Sequence, residues 1–147
     1  MRRATLTNGW FAAAVAVMLA HAFAACHAEE MTFVESEVED FRIERVAEGL
    51  QIPWAIAFLP EGGALVSERA AGRIIRLDLE TGVSSVLAGG PDDVFVQDNA
   101  GMLDVVLHPD YTGNRFVYYC YTAGDDKLNT MVVERAKFDN KQLTDRE

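Results

Sequence analysis

The sequence feature that most constrains the fold is an internal repeat. The segment AIAFLPE at residues 55–61 aligns with DVVLHPD at residues 104–110, an offset of 49 residues with the apolar residues and the proline in register. The following segments, Gly63–Ser67 and Asn114–Tyr118, also correspond if the second turn is two residues longer. Repeats of about 40 to 50 residues form when similar supersecondary units stack on one another. We therefore expect two structurally equivalent units.

Each unit is predicted to be a meander of short β-strands. In the first unit, turn signals containing glycine separate four strand-like runs: Trp54–Leu59, Ala64–Glu68, Arg73–Leu79 and Val83–Ala88. In the second unit we expect a third strand at about Thr130–Phe138, and the chain then stops in polar sequence before a fourth. No segment has convincing helical periodicity. Repeated four-stranded meanders of this length predict an all-β chain that forms the first two blades of a β-propeller.

A ring of blades needs more chain than this. Propellers typically close four to eight blades into a ring, which buries both faces of each sheet. Two blades alone would expose large apolar faces. We therefore expect the chain to be the amino-terminal fragment of a longer protein, truncated at its C-terminus and inactive by itself.

The histidine in QDNAGMLDVVLHPDY could be a catalytic base or part of a turn. Pro109 ends the preceding strand because it has no N–H to donate, and we expect the Asp110 carboxylate to cap the turn. Leu59 stands at the position of His108 in the first repeat, which favours a structural role for the histidine. Strand alternation places Asp104 on the same face as His108. For Asp104, too, a structural role facing water or a backbone donor is favoured.

The first 28 residues have the pattern of an export signal. Arg2 and Arg3 precede an apolar run at 10–20, and small residues lead to a cleavage site after Ala28. The run is short compared with the roughly 20 residues of a membrane span. We expect a periplasmic or secreted protein without a membrane span, with lipoprotein attachment at Cys26 as the alternative. Residues 29–40 would form an acidic, irregular lead and residues 41–147 the partial propeller.

Charge excludes one class of partner. The whole chain carries a formal charge of −10, and removal of two arginines with the signal leaves about −12. Nucleic acid is not expected to bind, because binding to phosphates requires clustered basic residues. Cys120 then remains as a single cysteine, which is either a buried thiol or the partner of a cysteine outside this sequence.

Two long segments resemble a known family. GLQIPWAIAFLPEGGALVSERAAGRIIRLD (49–78) and NAGMLDVVLHPDYTGNRFVYYCY (99–121) are similar to the N-terminal part of the soluble aldose sugar dehydrogenases that use pyrroloquinoline quinone (PQQ), the glucose/sorbosone dehydrogenase family. The motifs Pro-Trp-Ala, Ser-Glu-Arg with its Gly-Arg, and Leu-His-Pro-Asp-aromatic occur in the family's order and spacing. The similarity extends from about Phe41 to Phe138.

The resemblance implies a six-bladed propeller that oxidises the anomeric hydroxyl of aldoses to lactones. In the family a histidine acts as general base, PQQ accepts the hydride, calcium activates the cofactor and supports the structure, and an external acceptor takes the electrons. The family's catalytic histidine lies in a His-x-Gly-Gly-Arg-like motif downstream of the matched segments. The resemblance therefore assigns no catalytic residue in this chain, and the cofactor and metal ligands are unknown.

One substrate-contacting position of the family falls within the chain. It is a glutamine two residues before the glycine that corresponds to Gly101, and Asn99 occupies it here. Gln97 lies two residues earlier and is the second candidate for substrate binding. The shorter amide at 99 leaves the identity of the sugar open.

Two other functions remain open at this point. A calcium-dependent propeller hydrolase of the lactonase type and a non-enzymatic propeller used as a binding module both fit the fold. A requirement for both PQQ and calcium would separate the dehydrogenase from these two. Elsewhere we expect Glu68 and Arg69 to form an exposed ion pair and Trp54 to pack in the core or between blades.

Overall fold

The structure, a computed structural model, describes residues 32–35 and 37–147. The predicted export signal, with Cys26, lies outside the described residues. Nearly all regular structure in the described part is β-strand, with one helical turn. None of its helices has the length and hydropathy of a membrane span.

A short hairpin precedes the repeats. Strand β1 (Thr32–Val34) pairs antiparallel with β2 (Phe41–Ile43). The expectation of an irregular lead across residues 29–40 was therefore wrong at β1. β-branched and aromatic residues dominate this segment and favour extended structure once a partner strand is present. The strand pattern covers only three residues, and the acidic residues that follow it favour an irregular segment.

The first repeat forms a four-stranded antiparallel sheet in the order β3-β4-β5-β6. Its strands agree with the predicted runs to within two residues at each end: β3 (Pro53–Phe58), β4 (Ala64–Glu68), β5 (Arg73–Leu77) and β6 (Ser84–Val86). At the β3–β4 turn Gly63 has φ +80°, and a β-carbon there would lie 2.7 Å from the Leu77 carbonyl oxygen. Only glycine fits this close approach without strain.

The second repeat forms an equivalent sheet, with β7 (Met102–Leu107), β8 (Phe116–Gly124), β9 (Asn129–Phe138) and β10 (Leu143–Thr144). The helical turn α1 (Tyr111–Asn114) joins β7 to β8. The prediction that the chain stops before a fourth strand was wrong, because β10 pairs with β9. The Asp139 carboxylate accepts the N–H groups of Lys141 and Gln142 and turns the chain back. A two-residue strand is too short to produce a recognisable sequence pattern.

The two sheets pack face to face around one shared core. β7, an edge strand of the second sheet, lies against β3 and β4 of the first. Ser67 is fully buried at this contact, where its hydroxyl accepts the Ala55 N–H and donates to the Leu103 carbonyl. Core side chains come from both sheets, among them Leu65, Ile74, Val105, Tyr119 and Phe138. This arrangement is that of two neighbouring blades of a β-propeller, as the repeat predicted.

The opposite face of each sheet is partly uncovered. On the first blade, Ala47 and Leu50 cover a small cluster on β4 and β5, but the outward side chains of β3 remain exposed. Trp54 is one of these and is 52% exposed. Of the two places expected for Trp54, the core is excluded, because the bulge between Pro53 and Ala55 and the strand alternation point the side chain away from the second blade. Packing between blades stays a prediction.

Candidate substrate-binding turn

Residues 97–100 form a tight turn just before β7, the first strand of the second blade. The Ala100 N–H donates to the Gln97 carbonyl oxygen over 2.7 Å. Asp98 adopts a left-handed conformation with φ +49°, which aspartate tolerates better than most residues. The side chains of Gln97, Asp98 and Asn99 are all exposed. The turn thus presents three polar side chains to solvent on a fixed backbone.

Arg69 fastens this turn to the first blade. Its Nη1 donates to the carbonyl oxygens of Asp98 and, over 3.4 Å, of Ala100. The guanidinium lies 5.6 Å from the centroid of the Trp54 ring, within the range of a cation–π contact. Nη1 carries two N–H groups and can therefore donate to two carbonyl oxygens at once. Arg69 therefore fixes the position of the turn relative to the first blade.

The predicted exposed ion pair between Glu68 and Arg69 does not form. Glu68 is buried, where it accepts the Arg73 Nε–H over 2.5 Å and the Gln51 N–H over 2.7 Å. A buried carboxylate needs such partners to offset its desolvation. Neighbouring residues on a strand point to opposite faces, so Glu68 and Arg69 serve different contacts.

Gly101 allows the two blades to meet at this turn. Its φ is +144°, and a β-carbon at this position would collide with the Arg69 carbonyl oxygen. Its own carbonyl accepts the Thr122 N–H over 3.0 Å. Glycine is required at this position because the backbone lies close to the Arg69 carbonyl, while the hydrogen bond to Thr122 ties the same residue to the second sheet.

Both sequence-predicted substrate residues lie on the turn. Gln97 and Asn99 are exposed, and neither side chain makes a hydrogen bond within residues 32–35 and 37–147. A carboxamide carries two donors and one acceptor, which suits it to binding vicinal hydroxyl groups. The structure thus brings together two uncommitted amides on a turn whose backbone is fixed by Arg69.

His108 is committed to the turn after β7. Its Nδ1 accepts the Asp110 N–H over 2.9 Å and lies 2.8 Å from the Asn114 amide nitrogen. Its ring stacks on Tyr118 at 6.0 Å between centroids. The structural interpretation is confirmed. The expected cap by the Asp110 carboxylate was wrong: this carboxylate lies against Gly113 and makes no capping hydrogen bond.

Asp104 also has a local structural role. It is exposed at an irregularity of β7, and its carboxylate accepts the N–H of Val105 over 2.9 Å. Its own N–H points at the sulfur of Cys120 at 3.4 Å. Cys120 is half-buried and is a free thiol among the described residues. Neither residue contacts the 97–100 turn by a hydrogen bond.

Sequence reasoning missed a polar cluster in the second blade. The Glu134 carboxylate accepts hydrogen bonds from Tyr119 at 2.8 Å, from Tyr121 at 3.0 Å and from two nitrogens of Arg146 at 2.9 and 3.1 Å. The Arg146 hydrogen bond, against the opposing effect of burial, holds the pKa of Glu134 below its usual value. Arg146 also donates to the Gly90 carbonyl over 2.9 Å. The alternation of Tyr119 and Tyr121 was the only sequence signal for this cluster.

The guanidinium at the 97–100 turn is not free to hold a quinone. PQQ carries carboxylates, which call for several uncommitted cationic groups, and the guanidinium nearest the turn, Arg69, is committed to backbone carbonyls. No group of three or more histidine, cysteine, aspartate or glutamate side chains suited to a metal ion occurs in the part of the chain that the structure describes.

Two four-stranded blades with a shared core define a β-propeller protein. Comparison with known sequences gives the family: residues 50–147 match the Glucose / Sorbosone dehydrogenase family. This match spans both blades and the 97–100 turn. The chain belongs to the glucose/sorbosone dehydrogenase family.

Named relatives and solved structures agree with this assignment. The chain is 35% identical over 106 residues to the aldose sugar dehydrogenase YliI of Escherichia coli, covering 70% of this chain and 28% of that protein. It is 28% identical to quinoprotein glucose dehydrogenase B of Acinetobacter calcoaceticus, covering 78% of this chain and 24% of that protein. The PQQ-bound aldose sugar dehydrogenase of Streptomyces coelicolor superimposes with a TM-score of 0.62 at 30% identity, covering 80% of this chain and 32% of that structure. The chain spans less than a third of the length of each of these proteins.

Proposed function

We propose that this chain is the substrate-contacting N-terminal part of an exported quinoprotein that oxidises aldoses at the anomeric hydroxyl to lactones. The observation that carries the proposal is the family match across residues 50–147, which includes the amide-bearing turn. The names of the similar proteins from E. coli and S. coelicolor supply the sugar and the cofactor class. An external acceptor then takes the electrons.

The contribution of this chain to the reaction is to bind and orient the sugar. Asn99 and Gln97 have amides able to donate to and accept from sugar hydroxyls. Arg69 holds the backbone of their turn at Asp98 and Ala100, so the amides meet the sugar from a fixed position. Fixed positioning of a bound reactant lowers the entropy cost of reaching the transition state.

The remaining chemistry belongs to residues outside this chain. When bound, PQQ accepts the hydride, and the family resemblance puts the general base and the quinone ligands downstream of the second blade. Calcium, export through residues 1–28 and the lactone product are parts of the same proposal. Since the resemblance assigns no catalytic residue to this chain, we expect this chain alone to be inactive.

The proposal is tested by reconstitution of a complete protein that contains this segment. We expect an aldose to reduce an artificial electron acceptor only when PQQ and calcium are both added. In that protein Asn99→Ala should raise KM for the sugar with a smaller effect on kcat, whereas Asp98→Asn, which tolerates the left-handed conformation at this position and keeps the backbone contacts of the turn, serves as the matched control. Activity with calcium alone, or none with both additions, would remove the dehydrogenase proposal.

A further inference from the structure

The motifs Pro-Trp-Ala and Ser-Glu-Arg meet at a β-bulge beside the 97–100 turn. The pairing of β3 with β4 shifts between Pro53 and Ala55, which leaves Trp54 as the extra residue of β3. A bulge takes a side chain out of the regular alternation of the strand, and bulges often re-aim a side chain beside a functional site. Here the centroid of the Trp54 ring lies 5.6 Å from the guanidinium carbon of Arg69.

The backbone of Arg69 is fixed, whereas its guanidinium has few polar partners. The Arg69 N–H donates to the Ile52 carbonyl over 3.0 Å, and the Arg69 carbonyl accepts the Gly72 N–H over 3.3 Å. Among residues 32–35 and 37–147, Nε is buried without a hydrogen-bond partner, and Nη1 is the only guanidinium nitrogen that donates, to the carbonyls of Asp98 and Ala100. Hydrogen bonds from a single nitrogen do not fix the plane of the group. The contact with the Trp54 ring supplies that constraint.

We propose that Trp54 is a positioning residue for substrate binding, which acts through Arg69 on the turn that carries Asn99 and Gln97. The ring holds the guanidinium, the guanidinium holds two backbone carbonyls, and the held backbone fixes the amides that meet the sugar. The effect on the sugar rests on the proposed function. The contacts themselves lie within the described chain and do not depend on what covers the outer face of β3.

This role requires an aromatic side chain at position 54. A guanidinium is attracted to the face of an aromatic ring, whereas an aliphatic side chain of similar polarity offers no such attraction. Without the ring, Nη1 alone would hold the turn, and the amides would reach the sugar from a less defined position. A contact that supports binding equally in the ground state and the transition state acts on KM more than on kcat.

The test is a double-mutant cycle in the complete, reconstituted protein that contains this segment. We expect Trp54→Leu to raise KM for the aldose by about two- to tenfold, the range expected for loss of a cation–π contact, with a smaller change in kcat. Trp54→Phe keeps an aromatic face and should stay close to the wild-type KM. In the Arg69→Met background Trp54→Leu should have no further effect, because the residue through which Trp54 acts is already removed.

Amide hydrogen exchange of the same protein gives a readout that needs no sugar, quinone or calcium. Peptides covering residues 97–100 should exchange faster in Trp54→Leu and in Arg69→Met than in the wild type, and Trp54→Phe should exchange slowly. Phe58→Leu changes an aromatic residue at the other end of β3 and is the matched control, which should alter neither KM nor this exchange. Trp54→Met is the second variant if thermal melts show that Trp54→Leu does not fold.

Two results would overturn the proposal. One is a double variant in which the two effects on KM multiply, because Trp54 would then act on the sugar independently of Arg69. The other is exchange at residues 97–100 that Trp54→Leu leaves unchanged. A wild-type protein that oxidises no aldose would instead remove the proposed function, and the exchange measurement would still decide whether Trp54 holds the turn.

Discussion

Arg69 joins the first blade to the turn that carries the candidate site. Its guanidinium rests on Trp54 and donates to two carbonyl groups of the 97–100 turn. The adjacent Glu68 is buried in the first blade, where its carboxylate accepts a hydrogen bond from Arg73. The Ser-Glu-Arg motif thus supplies a buried carboxylate that pairs with the partly exposed Arg73, and an arginine that holds the turn.

Gly101 gives the most direct test of the close contact between Arg69 and the turn. We expect Gly101→Ala to lower the free energy of unfolding by about 1–3 kcal/mol, because alanine is strained at φ +144° and its β-carbon meets the Arg69 carbonyl. Gly90→Ala is the matched control, since a β-carbon at Gly90 has no heavy atom within 4 Å. Urea denaturation measures both. Equal small effects of the two substitutions would contradict the contact.

Glu134 makes stability depend on pH in a defined direction. Its folded pKa is held below the unfolded value, mainly by the Arg146 hydrogen bond. Its contribution to stability is therefore present above the unfolded pKa of about 4.3 and is lost as pH falls through the folded pKa.

We expect Glu134→Gln to lower the thermal midpoint at pH 7 and to flatten its fall on acidification. Glu80→Gln changes an exposed carboxylate and serves as the control. Thermal melts across the acid range measure the difference between the two variants. A Glu134→Gln protein whose acid sensitivity equals that of the wild type would contradict the assigned role of Glu134.

At the scale of elements, the blade contact depends on a buried hydroxyl. Ser67 links β3, β4 and β7 through the Ala55 N–H and the Leu103 carbonyl. Ser67→Ala leaves both groups buried without this partner, so we expect a loss of about 1–3 kcal/mol in the free energy of unfolding. Ser85→Ala on the exposed strand β6 should change it by less than about 0.5 kcal/mol. Similar losses for both variants would contradict the bridging role.

The strands were largely predictable because their signals are local. Alternating apolar runs and glycine turns fixed β3 to β6 to within two residues. The short strands β1, β2 and β10 were missed because their formation depends on partner strands and on the Asp139 turn. Pattern reasoning detects strands that alternate over several residues, and two or three residues carry too little pattern.

The sequence selected candidate residues, whose role in substrate binding stays a prediction, but not the contacts that hold them. The family motif selected Asn99 and Gln97, and both lie on the exposed turn. The sequence could not indicate that Arg69 reaches across 29 residues to hold that turn, because such contacts depend on how the blades pack. The Glu134 cluster likewise joins residues from three strands or loops.

At the scale of the whole molecule, the described chain has two blades of a fold that normally closes into a ring. Its inner contact is complete, with a shared core and a buried hydroxyl bridge. Its two outer faces carry side chains at positions that the inner contact buries. These two outer faces are of the kind that a propeller buries against neighbouring blades.

The most direct test of the functional account is a segment exchange with the aldose sugar dehydrogenase of E. coli, which matches this chain over 106 residues. A chimaera that carries the matching residues of this chain should show PQQ-dependent reduction of an artificial acceptor with an aldose, and Asn99→Ala in the chimaera should raise KM. A chimaera that is folded and binds PQQ but shows no aldose-dependent reduction would contradict the account.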